Sequence, residues 1–152
     1  MKKLTVARAR RLIVERPVIV HKDESLPELV LAITTDPKTR SIYVVDNDER
    51  LIGMITIHDI INVAFPTLAT LDTLGYRASK LLSMKTAGDM ITGAPIYAKD
   101  DEPLEDVLQR MIDYNIEELP VVDDNLHVIG EINLLEMLIV WLEKLVTKEF
   151  KE

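Results

Sequence analysis

Apolar residues along this chain gather in short runs set apart by polar turns, and the runs return in the same order. Ile42-Tyr43-Val44-Val45 reads as a strand, Asp46-Asn47-Asp48-Glu49 as a polar turn, and residues 51–57 as the returning strand of a hairpin, broken only by Gly53 and Thr56. Asp59-Ile60-Ile61 then opens a helix. The near-continuous Val and Ile of these strands suit a sheet covered on both faces. The same frame reappears around Gly130.

Placing Gly53 over Gly130, an offset of 130 − 53 = 77, aligns the two halves without a gap. Ile19, Lys22 and Asp23 meet Ile96, Lys99 and Asp100; Glu28, Val30 and Leu31 meet Glu105, Val107 and Leu108; Val44-Val45-Asp46 meets Val121-Val122-Asp123. Each copy is expected to hold a short strand (18–21; 96–98), a helix (26–34; 104–114), a hairpin (41–45 with 51–57; 119–122 with 128–132) and a closing helix, from Asp59 or from Glu136. The second closing helix is expected to run through Trp141 to about 148. Ser25-x-x-Glu28 fits a capping box, and Pro103 suits a first helical turn. Residues 6–14 align with 83–91 and are expected to form the leading helix of their own copy. The resulting organisation is a first repeat over 1–64, a helical linker over 65–85, and a second repeat over 86–148. Leu134, Leu135, Leu138, Trp141, Leu142 and Leu145 form an apolar stripe at helical spacing. Its first half is expected in the core and its second half at a subunit contact.

Composition narrows the function. The 152 residues carry a formal charge of −8, which opposes general binding to nucleic acid, where affinity rests on neutralising phosphates. The early cluster Lys2, Lys3, Arg8, Arg10, Arg11 and Arg16 reads as a solvated face or subunit contact. With no cysteine, disulfides, thiolate metal sites and cysteine nucleophiles are excluded together. His21, His58 and His127 show no metal-binding spacing, so no metal and no cofactor are expected. No secretory signal or membrane-length apolar run is visible, and a cytoplasmic protein that touches no membrane is expected. Phosphate-loop, nucleophile-elbow and metal-pair motifs are missing, so no enzymatic activity is expected.

Binding chemistry concentrates at 53–59. A strand that gives way to a helix N-terminus offers free amides and the positive end of the helix dipole, which together welcome an anion. Thr56 can donate to a phosphate, and Asp59 can accept two hydrogen bonds from a sugar diol. The plain alternative is local: Asp59 as a helix cap and Thr56 as a strand residue. The acidic runs at 46–49 and 123–124 read as hairpin turns.

The segments Val44-Val45-Asp46 … Ile52-Gly53-Met54-Ile55-Thr56-Ile57-His58-Asp59 and Leu119-Pro120-Val121-Val122-Asp123 … Ile129-Gly130-Glu131-Ile132 resemble the CBS domain, present here as a tandem pair over nearly the whole chain. The resemblance implies an α/β (α+β) fold of two pseudo-symmetric repeats, each a three-stranded sheet packed with helices, sharing one core. It also implies a regulatory module that takes AMP, ADP, ATP or S-adenosylmethionine between the copies, with Asp59 on the ribose and Thr56 at phosphate. Arg40, Ser41 and His58 stand beside them, and adenine is expected against Val18 and Ile19. A second, weaker site would involve Asn133, Glu136, Ile96 and Pro120. There Asn133 and Glu136 replace the hydroxyl and the aspartate, and Glu117 and Glu118 oppose a polyphosphate. A homodimer and a regulated partner protein are expected; the alternative is a dimerising scaffold whose pair has lost its ligand.

Overall fold

A computed structural model describes residues 4–12, 16–36, 38–65 and 86–149. The expected linker over 65–85 lies, apart from Phe65, outside them. The elements are α1 (Val6–Arg10), β1 (Ile19–His21), α2 (Leu26–Thr35), β2 (Ser41–Val45), β3 (Leu51–Thr56), α3 (Ile57–Ala64), a 3₁₀ turn (Gly88–Met90), β4 (Ala98–Lys99), α4 (Leu104–Asp113), β5 (Glu118–Val122), β6 (Val128–Asn133) and α5 (Leu134–Glu149).

Two sheets form, ordered β1-β2-β3 and β4-β5-β6, each with one parallel and one antiparallel pairing. The central strands β2 and β5 are buried at every position, the apolar runs 42–45 and 119–122 together with the polar residues that open them, Ser41 and Glu118. Both hairpins close through the same turn. The Asp46 carboxylate accepts from the amides of Asp48 (2.9 Å) and Arg50 (3.0 Å), and Asp123 accepts from Asn125 and His127 (both 2.9 Å). These amides hold both carboxyls below the usual carboxylate range. Glu49 and Leu126, equivalent residues of the two turns, share a left-handed backbone with φ of 60° and 63°.

The repeat differs from a gapless one. Val20 pairs with Val44 and Ala98 with Val121, so β1 and β4 correspond at 98 − 20 = 78, whereas the hairpins correspond at 118 − 41 = 77. The buried helix residues Leu29 and Ile33 likewise answer to Val107 and Met111, at 78. The slip falls between helix and strand, where residues 36–40 connect α2 to β2 but only 114–117 connect α4 to β5. Pro120 makes β4 shorter than β1. Tyr43 donates its amide to the Val18 carbonyl (2.9 Å), and proline at the equivalent position has no amide to give.

The chain folds as two compact units, residues 1–17 with 96–152, and residues 18–95. The leading segments are therefore exchanged, contrary to the expectation that residues 6–14 serve their own copy. In one unit Val6 and Ala7 donate to the carbonyls of Glu102 and Asp100 (both 3.0 Å); in the other Ala87 and Gly88 donate to Glu24 and Lys22 (both 2.8 Å). Each unit has its own buried cluster among the described residues. One includes Val6, Ala9, Val107, Met111, Leu119 and Ile132, and the other Val20, Leu29, Ile42, Val44, Ile55 and Ala87. Equivalent side chains of the exchanged segments lie over the two hairpin glycines. A Cβ on Gly53 would meet Ile91 Cγ2 at 2.6 Å, and one on Gly130 would meet Arg10 Cδ at 3.0 Å. Arg10 also clamps Asp100 through Nε and Nη2, both at 2.6 Å.

Two sequence expectations are corrected. Ser25 flanks α2 but makes no side-chain cap; Pro27 stands in the first turn, and Glu24 instead accepts from the His21 amide (3.1 Å). On α5 the core face is Met137 and Val140, with Leu134 packed beside them. Leu135 and Leu138 are 69% and 63% exposed, so of the first half of the stripe only Leu134 reaches the core. The helix is apolar nearly all round, and its phase is set by the strand that runs directly into it, which leucine spacing does not report.

Gly53→Ala should destabilise the protein by about 1–3 kcal/mol, because the branched Ile91 side chain has to move. Gly130→Ala should cost less, since it meets the mobile stem of Arg10; denaturant melts of both variants check the order. Asp100 is held below the ordinary carboxylate range first by its hydrogen bonds from Arg10. Its contribution is then present above the unfolded-state value of about 4 and fades as pH falls below it. Asp100→Asn should cost up to about 1 kcal/mol at neutral pH, given the partial exposure of the pair, and nothing in acid. Melts across pH 2–7 test this.

Candidate functional site

The expected first-site residues belong to one unit and meet at one end of its sheet. Ser41 opens β2 and lies opposite Thr56, the last residue of β3. The Ile57 amide donates to the Arg40 carbonyl at 3.0 Å, which fixes the start of α3 against the start of β2. Val18 is drawn to the same end by its bond from Tyr43, and Ile19, 41% exposed, is the next residue along β1. Arg40, His58 and Asp59 are exposed, Thr56 is half-buried and Ser41 is buried.

Helix α3 begins two residues before Asp59, which exchanges the roles anticipated for Thr56 and Asp59. Thr56 is the N-cap and accepts from the Asp59 amide (3.2 Å), while Asp59 Oδ2 accepts from the Thr56 amide (2.9 Å) and hydroxyl (3.0 Å). This reciprocal capping box holds the carboxylate in one orientation. Its Oδ1 takes no hydrogen bond among the described residues. Of the first-turn donors, Ile57 is taken by Arg40 and Asp59 by Thr56, so the His58 amide is the one that no hydrogen bond reaches among the described residues. His58, placed at the site by its position beside Asp59, contributes this amide, and its side chain is exposed.

The second unit repeats the frame with opposite chemistry. Leu134 donates to the Glu117 carbonyl (3.0 Å), the counterpart of the Ile57–Arg40 bond, so an acid replaces the arginine. Asn133 Oδ1 accepts from the amide of Leu135 at 2.8 Å. Since 135 − 77 = 58, the donor left open in the first unit is consumed in the second. Buried Glu118 and Glu131 occupy the places of Ser41 and Met54, Pro120 that of Tyr43, and Glu136 that of Asp59. The one-residue slip makes Ile96 the counterpart of Val18; Tyr97, which the gapless alignment missed, is the counterpart of Ile19. Among the described residues no group of three His, Asp or Glu side chains is placed to hold a metal ion, and no helix is long and apolar enough to cross a membrane.

A family model described as CBS domain matches residues 9–65 and 87–142. Over 133 residues the chain is 27% identical to inosine-5'-monophosphate dehydrogenase of Methanocaldococcus jannaschii, covering 88% of this chain but only 23% of that enzyme. A CBS domain-containing protein of Thermotoga maritima superposes with a TM-score of 0.75 at 31% identity, over 94% of this chain and 97% of its own. The CBS domain pair of protein MJ0100, solved with 5'-methylthioadenosine and S-adenosyl-L-methionine, superposes with a TM-score of 0.65 at 25% identity, over 88% and 98%.

Removing the cap with Thr56→Ala should cost about 1 kcal/mol of stability. Asn133→Ala should cost a similar amount in the other unit. Urea midpoints of the two variants check both values.

Proposed function

The chain belongs to the CBS domain family, and from that premise we propose that it is a regulatory module whose first repeat holds an adenine nucleotide at Arg40, Thr56, His58 and Asp59. The observation that carries this reading is the pairing of an amide at His58 with a carboxylate oxygen on Asp59, both without a hydrogen bond among the described residues, at a helix start whose first amide is held by the Arg40 carbonyl. The amide and the arginine suit phosphate, the Thr56 hydroxyl can turn from Asp59 to a phosphate oxygen, and Asp59 Oδ1 suits a ribose hydroxyl. Val18 and the exposed Ile19 supply an apolar surface for the base. The adenosyl ligands carried by the MJ0100 pair support the ligand class. In the second repeat Glu117, Glu118 and Glu136 oppose phosphate and Asn133 occupies the amide, so one phosphate-binding site per chain is expected. Regulation follows if the ligand binds one arrangement of the protein more tightly than another.

A second reading, a dimerising scaffold indifferent to nucleotide, is favoured by a specific face. Leu135, Leu138, Leu142 and Leu145 recur on one side of α5 and are all exposed. A homodimer through that face suits either reading, since a ligand-responsive module also transmits through an interface.

AMP at about 100 times its dissociation constant should add about 2.7 kcal/mol of stability, read as a rise in melting temperature. Asp59→Ala should lower the ligand-free melt through the lost capping bond and remove the AMP-dependent rise. Arg40→Glu, which copies the second repeat, should weaken AMP while sparing adenosine. A melting temperature unmoved by every adenosyl compound, with light scattering showing a constant dimer, selects the scaffold; a 17.3 kDa monomer ends it.

A further inference from the structure

A cavity of about 290 Å³ opens within the unit of residues 1–17 and 96–152, between Leu4, the first turn of α4 and one side of α5. Its floor is apolar, with Leu104, Met137 and Val140 all buried. Trp141, 59% exposed, forms part of the wall. These α5 residues, with Lys144, are spaced 137-140-141-144, a side of the helix distinct from the leucine face at 135-138-142-145.

The rim carries charges of both signs. Glu105 and Asp106 stand on the α4 side and Lys144 on the α5 side. None of the three makes an ion pair or a side-chain hydrogen bond among the described residues. Arg110, one turn beyond Asp106, is engaged by Glu102 at 2.6 Å and by the Tyr97 carbonyl at 2.7 Å. The volume lies at the small end of ligand cavities. A polyphosphate is opposed by the two acids, and a fatty acid would engage Lys144 while leaving both exposed rim carboxylates to solvent. A molecule with an ammonium, a carboxylate and an apolar body offers a partner to the rim charges of each sign and to the apolar floor.

We propose that this cavity binds a free apolar amino acid, its ammonium at Glu105 and Asp106, its carboxylate at Lys144 and its side chain on the floor of Leu104, Met137 and Val140 beside Trp141. The ligand also touches the exchanged N-terminal segment through Leu4, whose carbonyl accepts the Leu104 amide at 2.8 Å. Occupancy therefore tightens residues 4–12 on their unit. This ligand is of a different class from the nucleotide, and its test uses none.

Trp141 is the single tryptophan of the chain, so its emission reports on the cavity directly. Titration of the full chain with L-leucine should give a saturable emission change, matched by calorimetry and by slower amide exchange in residues 4–12. Removing either charge from the ligand, as 4-methylpentanoate or 3-methylbutylamine, should weaken binding about tenfold or more. Lys144→Met, and Glu105→Gln with Asp106→Asn, should each weaken L-leucine by a similar factor, and the ligand-free melt of each variant reads separately the stability lost with the two first-turn acids. No saturable response to L-leucine in either fluorescence or calorimetry overturns the proposal. Equal binding of the two analogues, or of L-leucine to the charge variants, overturns it as well, because the cavity would then be an apolar groove that reads no charge.

Discussion

A single backbone bond, from the amide of Ile57 to the carbonyl of Arg40, organises the candidate site. It anchors the first residue of a helix to the residue that precedes the central strand, so a cation, a hydroxyl and a carboxylate from separate elements arrive together. The bond uses no side chain, which is why the second unit keeps it intact between Leu134 and Glu117 while every group around it changes. Conserving geometry and changing chemistry are thus separable in this fold. The scaffold sets positions, and a few residues decide whether an anion is accepted there.

The two helix starts show how small that decision is. Threonine at the cap bonds the third amide of its helix, and leaves the second open. Asparagine, one atom longer to its acceptor, takes the second. Both choices satisfy a helix terminus about equally well. Among the described residues only the first leaves that amide without an acceptor, and the second stands among acids.

The hairpins and their polar turns were legible in the sequence because each depends on local chemistry. Asp46 and Asp123 announce turns, and unbroken Val and Ile runs announce strands buried on two faces. Three features were not legible. The one-residue slip lies in a connection where Pro37 and Asn115 offer no alignment anchor, so Ile96 matched Ile19 in sequence but Val18 in structure. The exchange of leading segments is a long-range choice between two near-equivalent docking strips, and no local pattern distinguishes them. The burial phase of α5 was hidden because leucines occupy both its outward face and its flank, whereas the residues that enter the core are Met137 and Val140.

The swapped leading strips mean that chain order and physical integrity follow different borders. Severing the polypeptide between its sequence repeats would give two fragments, each lacking a strip that its interior needs. The later fragment would lose Val6 and Ala9, and the earlier one Ala87, all three fully enclosed here. Each repeat taken alone would therefore expose apolar interior that the other repeat's leading strip covers here.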